Sequence, residues 1–92
     1  MIYAINYDLK KPGRDYSGLY EAIKSCGGAW WHDLGSTWLV DTTRSAAGIW
    51  ELLKPHVDQN DNMLIIGVTS DYSGWLSQEA WNWINSRLKK AA

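Results

Sequence analysis

The sequence predicts an α+β fold: a ferredoxin-like βαββαβ antiparallel sheet with two helices on one face plus a C-terminal helix, pairing sheet to sheet as a homodimer. Three observations predict it. Hydrophobic periodicity alternates between two-residue and 3.6-residue spacing in the order β-α-β-β-α-β before a last helix. The strand Met63–Val68 is apolar on both of its sides, so both need cover. The chain has 92 residues and no internal repeat, linker or low-complexity tract, which makes residues 1–92 one domain.

The elements follow in order. Residues 2–9, IYAINYDL, alternate as a strand, with Ile2, Ala4 and Asn6 on one face and Tyr3, Ile5, Tyr7 and Leu9 on the other. Residues 10–15 form a loop with Pro12-Gly13 as its turn signal. A helix over about residues 16–26 carries Tyr16, Leu19, Tyr20 and Ile23 at helical spacing; Asp15 or Ser17 can cap it and Gly27 can stop it. Residues 29–33 and 36–41 are short strands around Leu34-Gly35. Thr42-Thr43 offers a cap to a helix with Ala46, Ile49, Trp50, Leu53 and Val57 on one face, broken near its end by Pro55. The polar loop 58–62 leads to the apolar strand, and a turn near Asp71–Gly74 leads to a helix from about Ser77 to Leu88. The cover for the second face of the apolar strand is that helix, a partner subunit, or both.

Composition directs attention to surfaces. Seven residues are Trp and five are Tyr, and there is no Phe. Trp and Tyr combine an apolar body with a polar handle and are enriched at interfaces and base-stacking platforms. They also fill small cores. A domain of this length buries only about 60–65% of its unfolded surface, so a dimer would help it. The net charge of −1 excludes a broad basic surface for polyanions but leaves room for a local basic site. The single cysteine, Cys26, cannot form an internal disulfide and fits a reducing cytoplasm. No run is long and apolar enough for a membrane span, and no signal peptide is evident at the start.

Few residues carry possible chemistry. Asp8, at the end of the first strand, could hold a divalent ion together with its symmetry mate in a two-fold dimer, or could simply pair with the basic loop beside it. Lys10, Lys11 and Arg14 could bind phosphate, or form an ordinary solvated turn. In Ala29-Trp30-Trp31-His32-Asp33 the two Trp face opposite ways; Trp31 and His32 could serve a base or phosphate, or a structural role. His56 suits the end of a helix. Trp75, Trp81 and Trp83 are candidate interface anchors. Serine nucleophiles, zinc ligands and phosphate-loop glycines have no recognisable pattern.

The run IYAINYDL, a basic loop, a helix ending in Gly-Gly and then LGSTWLVDT resembles the small CRISPR-associated integration subunit. The likeness extends to about Ser45 and continues after that only in element order. The toxin-like virulence-associated protein D group is similar as well; the chain's Trp-rich, slightly acidic composition departs from the pattern, and it looks at least as much like short phage-borne or mobile-element relatives. The resemblance implies sheet-to-sheet homodimers. It implies either a metal-dependent nuclease, with Asp8 of both subunits as catalytic and metal residue and Mg²⁺ or Mn²⁺ as cofactor, or a non-catalytic subunit without a cofactor.

Three functions are therefore expected in order. The first is a non-catalytic homodimer that binds a nucleotide or small phosphorylated ligand through Lys10, Lys11, Arg14, Trp31 and His32, sequestering a nucleotide signal. The second is a metal-dependent endonuclease on RNA or DNA using Asp8. The third is a protein-interaction subunit anchored by the Trp-rich C-terminal segment.

Overall fold

A computed structural model describes residues 1–10 and 13–88. The chain forms strand β1 (Ile2–Asp8), helix α1 (Ser17–Lys24), strands β2 (Ala29–Leu34) and β3 (Thr37–Asp41), helix α2 (Ala46–Leu53) with a 3₁₀ turn Lys54–His56, strand β4 (Asn62–Gly67) and helix α3 (Gln78–Leu88). The four strands make one antiparallel sheet in the order β2-β3-β1-β4. β1 is central, with Ala4 opposite Leu39 on one side and Ile66 on the other. β2 and β4 are the edges.

Strand alternation sends side chains to two separate cores. On the first face, Tyr3 and Ile5 of β1 and Trp38 and Val40 of β3 are buried against Leu19 and Ile23 of α1 and Ile49 and Leu53 of α2. On the second face, Ile2, Trp31 and Leu39 are buried against Ala80 and Ile84 of α3. Val68, Tyr72 and Leu76 pack against this second core, so residues 68–77 carry the chain from β4 across that face.

Local chemistry sets the helix boundaries, in places differently from expectation. Asp15 accepts a bond from the Ser17 amide (2.9 Å) and so closes the turn that opens α1. α1 ends at Lys24, earlier than the expected 26, and Gly27 is not a left-handed stop, since Gly13 is the only described residue with positive φ. Ser45, not Thr42-Thr43, caps α2: its Oγ accepts from the Gly48 amide at 3.0 Å. Thr42 is buried instead, donating to the Cys26 carbonyl at 2.8 Å and tying the end of β3 to the link between α1 and β2. Trp50 is exposed although it was expected on the packed face of α2. It sits about 100° around the helix from Ile49, beyond the stripe that Ile49 and Leu53 define.

The largest difference lies at β4. Met63 and Ile65 pack against the first core. Leu64 and Ile66, on the second face, stay 58% and 50% exposed. α3 packs against β2, at the far side of the sheet, and leaves the β4 half of that face open. Apolar character on both sides of β4 therefore marks one covered side and one open side within the single chain.

Candidate binding surfaces

The basic loop and the end of β1 meet an acidic loop. The exposed Asp8 carboxylate lies 3.5 Å from Lys10 Nζ. The Lys10 amide donates to Asp61 at 2.7 Å. The Tyr16 hydroxyl reaches both Asp61 oxygens at 3.0 and 2.9 Å, and the Asp58 amide donates to Asp61 at 2.9 Å. Arg14 lies 3.5 Å from Asp58, donates to the His56 carbonyl at 3.4 Å and stands over the Tyr16 ring at 5.2 Å. Lys11 falls outside the described residues. Lys10 and Arg14 are thus engaged with Asp8 and Asp58, so an anion approaching either would have to displace a carboxylate.

Asp61 is the hub of this contact. Burial pushes its carboxyl up, but the bonds from the Lys10 and Asp58 amides and the Tyr16 hydroxyl, with the Arg14 charge, outweigh that and hold it below the ordinary value of 3.8. A group with a depressed folded-state value stabilises above its unfolded value and loses that contribution as pH falls through the folded one. The loop contact is therefore expected at full strength at neutral pH and to loosen only below the usual carboxylate range. Asp61→Asn should speed hydrogen exchange at the Lys10 and Asp58 amides at neutral pH, while the global melting midpoint shifts by only a few degrees. Unchanged exchange at both amides would remove Asp61 as the tether.

Trp31 and His32 lie elsewhere. β3 and β1 stand between β2 and β4, which separates the Trp31 strand from the loops before β4 by about 14 Å at ordinary strand spacing. Of the five expected ligand residues, the four that are described do not converge on one pocket. His32 stacks flat on Trp38, with ring centroids 3.8 Å apart and planes 14° apart, and its Nε2 lies 3.2 Å from the Gly35 carbonyl. Trp31 is 7% exposed, in the second core. Its indole N–H is buried and has no acceptor among the described residues. Trp30 turns to the other face, near Trp38 at 5.3 Å and under Lys24 at 5.2 Å. The register of β2 on β3 shifts between Trp31 and Leu34, a bulge at His32-Asp33 that re-aims the side chains there.

The three C-terminal Trp differ in placement. Trp81 is half-buried and stacks with Tyr72 at 6.0 Å. Trp83 is half-buried beneath the Arg87 guanidinium at 4.4 Å, and Arg87 pairs with Asp41 at 3.5 Å. Trp75 is 97% exposed and rims an apolar cleft of about 370 Å³ with Leu34, Leu39 and Val68. Cys26 is buried, and burial pushes its thiol up, a partial counter-effect coming from Arg44. Among the described residues no set of three His, Cys, Asp or Glu side chains is placed to hold a metal ion, and no helix is long and apolar enough to cross a membrane.

Three features escaped the sequence reading: the open pair Leu64 and Ile66, the Asp61 hub, and the placing of Asp33 and Glu79 beside Trp31. The alternation of β4 was a usable signal for the first. The other two depend on which loop and which helix come together, which no local pattern records. Comparison of the chain with family models, curated proteins and solved structures finds no match.

Proposed function

We propose that this protein is a non-catalytic homodimeric interaction subunit that pairs through the open half of its sheet. The observation that carries this reading is the exposure of Leu64 and Ile66, 58% and 50%, side by side on an edge strand. Ala4 and Asn6 adjoin them across β1. Thr37 donates to the Asn6 side chain at 2.9 Å, so this polar pair can be buried without leaving the Asn6 oxygen or the Thr37 hydroxyl unpartnered. A net charge of −1 offers little self-repulsion, and a two-fold contact sets such a patch against itself.

Magnitudes favour including Trp75 in the same interface. Burying what remains exposed of Leu64 and Ile66 in two copies yields on the order of 4–6 kcal/mol. Association costs about 4–15 kcal/mol. The patch alone is marginal, and Trp75, which rims a cleft on the same sheet face, supplies the additional apolar area. The element order with sheet order β2-β3-β1-β4 supports a ferredoxin-like reading of the fold, and the resemblance of the N-terminal half to sheet-pairing families points the same way. A nucleotide ligand is less well supported, because Lys10 and Arg14 already face carboxylates and because Asp33 and Glu79 flank Trp31 and His32.

Light scattering on a sizing column tests the proposal. The wild type should elute at twice the chain mass of 10.5 kDa at micromolar concentration. Leu64→Lys with Ile66→Lys should elute at the single-chain mass with an unchanged far-UV spectrum, and Trp75→Ala should weaken the dimer without unfolding the chain. A monomeric wild type, or a double variant that still dimerises, overturns it.

A further inference from the structure

The outer side of β4 presents main-chain groups that nothing covers. The Val68 amide donates to the Ile2 carbonyl at 2.9 Å, and from there β4 pairs with β1 without a bulge, from Gly67 opposite Tyr3 to Asn62 opposite Asp8. Facing residues of an antiparallel ladder alternate between pairs that exchange bonds and pairs that do not. Leu64 and Ile66 therefore bond to β1, and the N–H and C=O groups of Met63, Ile65 and Gly67 point away from it. No strand and no loop backbone among the described residues reaches them.

An exposed edge is ordinarily blunted by a charge, a proline, a bulge or a covering element, because it is a template for another strand. The other edge, β2, has a bulge at His32-Asp33 and the Asp33 carboxylate. Asn62–Gly67 has no charged residue, no proline and no bulge. A cleft of about 450 Å³ lies open beside it, lined in part by Trp50, Val57 and Met63, and Trp50 is 39% exposed. Unpaired donors and acceptors and uncovered apolar surface thus run along the same edge.

The segment is complementary to itself. In the antiparallel register centred on Ile65, Ile65 faces Ile65 of a second copy and Met63 faces Gly67 of that copy in both directions, each pair exchanging two bonds. Shifting by one repeat of the ladder either way leaves one of the three residues facing a position beyond the strand. In the centred register Leu64 lies opposite Ile66 of the second copy at the closely spaced positions, with about 4.5 Å between Cα atoms, so the two exposed side chains cover each other. On the other face the long Met63 side chain meets a glycine, which leaves it room. We infer that the free edge of β4 is a self-association site at which two copies pair antiparallel about Ile65, joining two four-stranded sheets into one. The contact supplies the main-chain bonds that the marginal apolar patch lacks. It uses the edge and not the Trp75 side of the sheet, so it stands or falls separately from the face contact.

Residue-resolved hydrogen exchange on the full chain, with light scattering on the same samples across a concentration series, tests the inference. The Leu64 and Ile66 amides, bonded to β1, should be protected throughout and serve as the internal reference. The Met63, Ile65 and Gly67 amides should exchange at least about tenfold more slowly in the associated protein than after dilution to the single-chain mass, a comparison that needs no variant. Met63→Pro removes one outward donor per copy and leaves the bonds to β1 in place. It should keep the far-UV spectrum and the protection of Leu64 and Ile66, and lose that of Ile65 and Gly67 together with the corresponding step in mass. Fast exchange at Ile65 and Gly67 in the associated protein, protection there that survives dilution to single chains, or protection that survives in Met63→Pro would each overturn the edge contact. Copies that still pair in Met63→Pro and separate in Trp75→Ala, with fast edge amides, would leave the face contact standing alone. Protected edge amides with a mass indifferent to Trp75→Ala would support the edge contact and remove the face contact.

Discussion

Trp38→Ala is expected to remove about 3–5 kcal/mol of stability, the range for deleting a large buried aromatic side chain. Trp38 is buried at the centre of the first core. Its ring carries His32 at 3.8 Å, Trp30 at 5.3 Å and Tyr20 at 6.1 Å, and its indole N–H donates to the Tyr7 hydroxyl at 2.9 Å. Alanine would leave these rings around a void and the partly buried Tyr7 hydroxyl without its donor. A domain of this size has a net stability of roughly 5–14 kcal/mol, so the loss takes about a fifth of it at least. The melting midpoint should fall by roughly 12–40 °C, since each kcal/mol shifts it by about 4–8 °C. Trp38→Phe keeps most of the ring volume and removes only the donation to Tyr7, and should fall by far less. Thermal melts followed by far-UV circular dichroism decide between these outcomes. An alanine variant that melts with the wild type would mean that the aromatic stack is not the keystone of the first core.

Much of this architecture was legible because it is local. Alternation in Ile2–Asp8 assigned Tyr3 and Ile5 to one face and Ile2 and Ala4 to the other, and both assignments are those of the structure. Helical spacing selected Leu19 and Ile23 in α1 and Ile49 and Leu53 in α2, all buried. Adjacent Trp30 and Trp31 had to face opposite ways on a strand, and they do.

What was not legible is long-range. The second side of β4 was expected to be covered by the last helix or a partner, but within the chain it stays open, because residues 68–77 lead toward β2 and carry α3 away from it. Lys10 and Arg14 carry a local positive pattern, yet Asp61, which takes the Lys10 amide, and Asp58, which pairs with Arg14, come from more than forty residues away and weaken the case for phosphate there. His32 looked available beside an aromatic platform. The register of β2 on β3 lays it flat on Trp38, so its ring face is already occupied. In each case the residue type was recognised and the partner was missed, because charge and stacking are decided by tertiary neighbours that periodicity does not encode.

Gly27 and Gly28 separate these two kinds of information within one dipeptide. Both look like generic helix-ending residues in the sequence, and neither has a positive φ, so backbone conformation does not distinguish them. Space does. A Cβ on Gly27 would lie 2.1 Å from the Asp41 carbonyl oxygen and 2.7 Å from Thr42 Cβ. On Gly28 it would meet nothing within 4 Å. The approach at Gly27 is held in place: Thr42 and Arg44 both donate to the Cys26 carbonyl, at 2.8 and 3.1 Å, and the Gly28 amide donates to Asp41 at 3.0 Å. Backbone cannot swing aside as a flexible side chain would, so Gly27→Ala must pry the start of β2 from the end of β3. It should cost about 1–3 kcal/mol or more, as overpacking does. Gly28→Ala should be neutral or stabilise by up to about 1 kcal/mol, because alanine restricts the unfolded chain and meets no clash in the folded one. Paired urea titrations of the two variants measure the contrast directly. Equal midpoints would show that the junction between α1 and β2 yields freely, and that Gly27 was retained for a reason other than the close approach of β3.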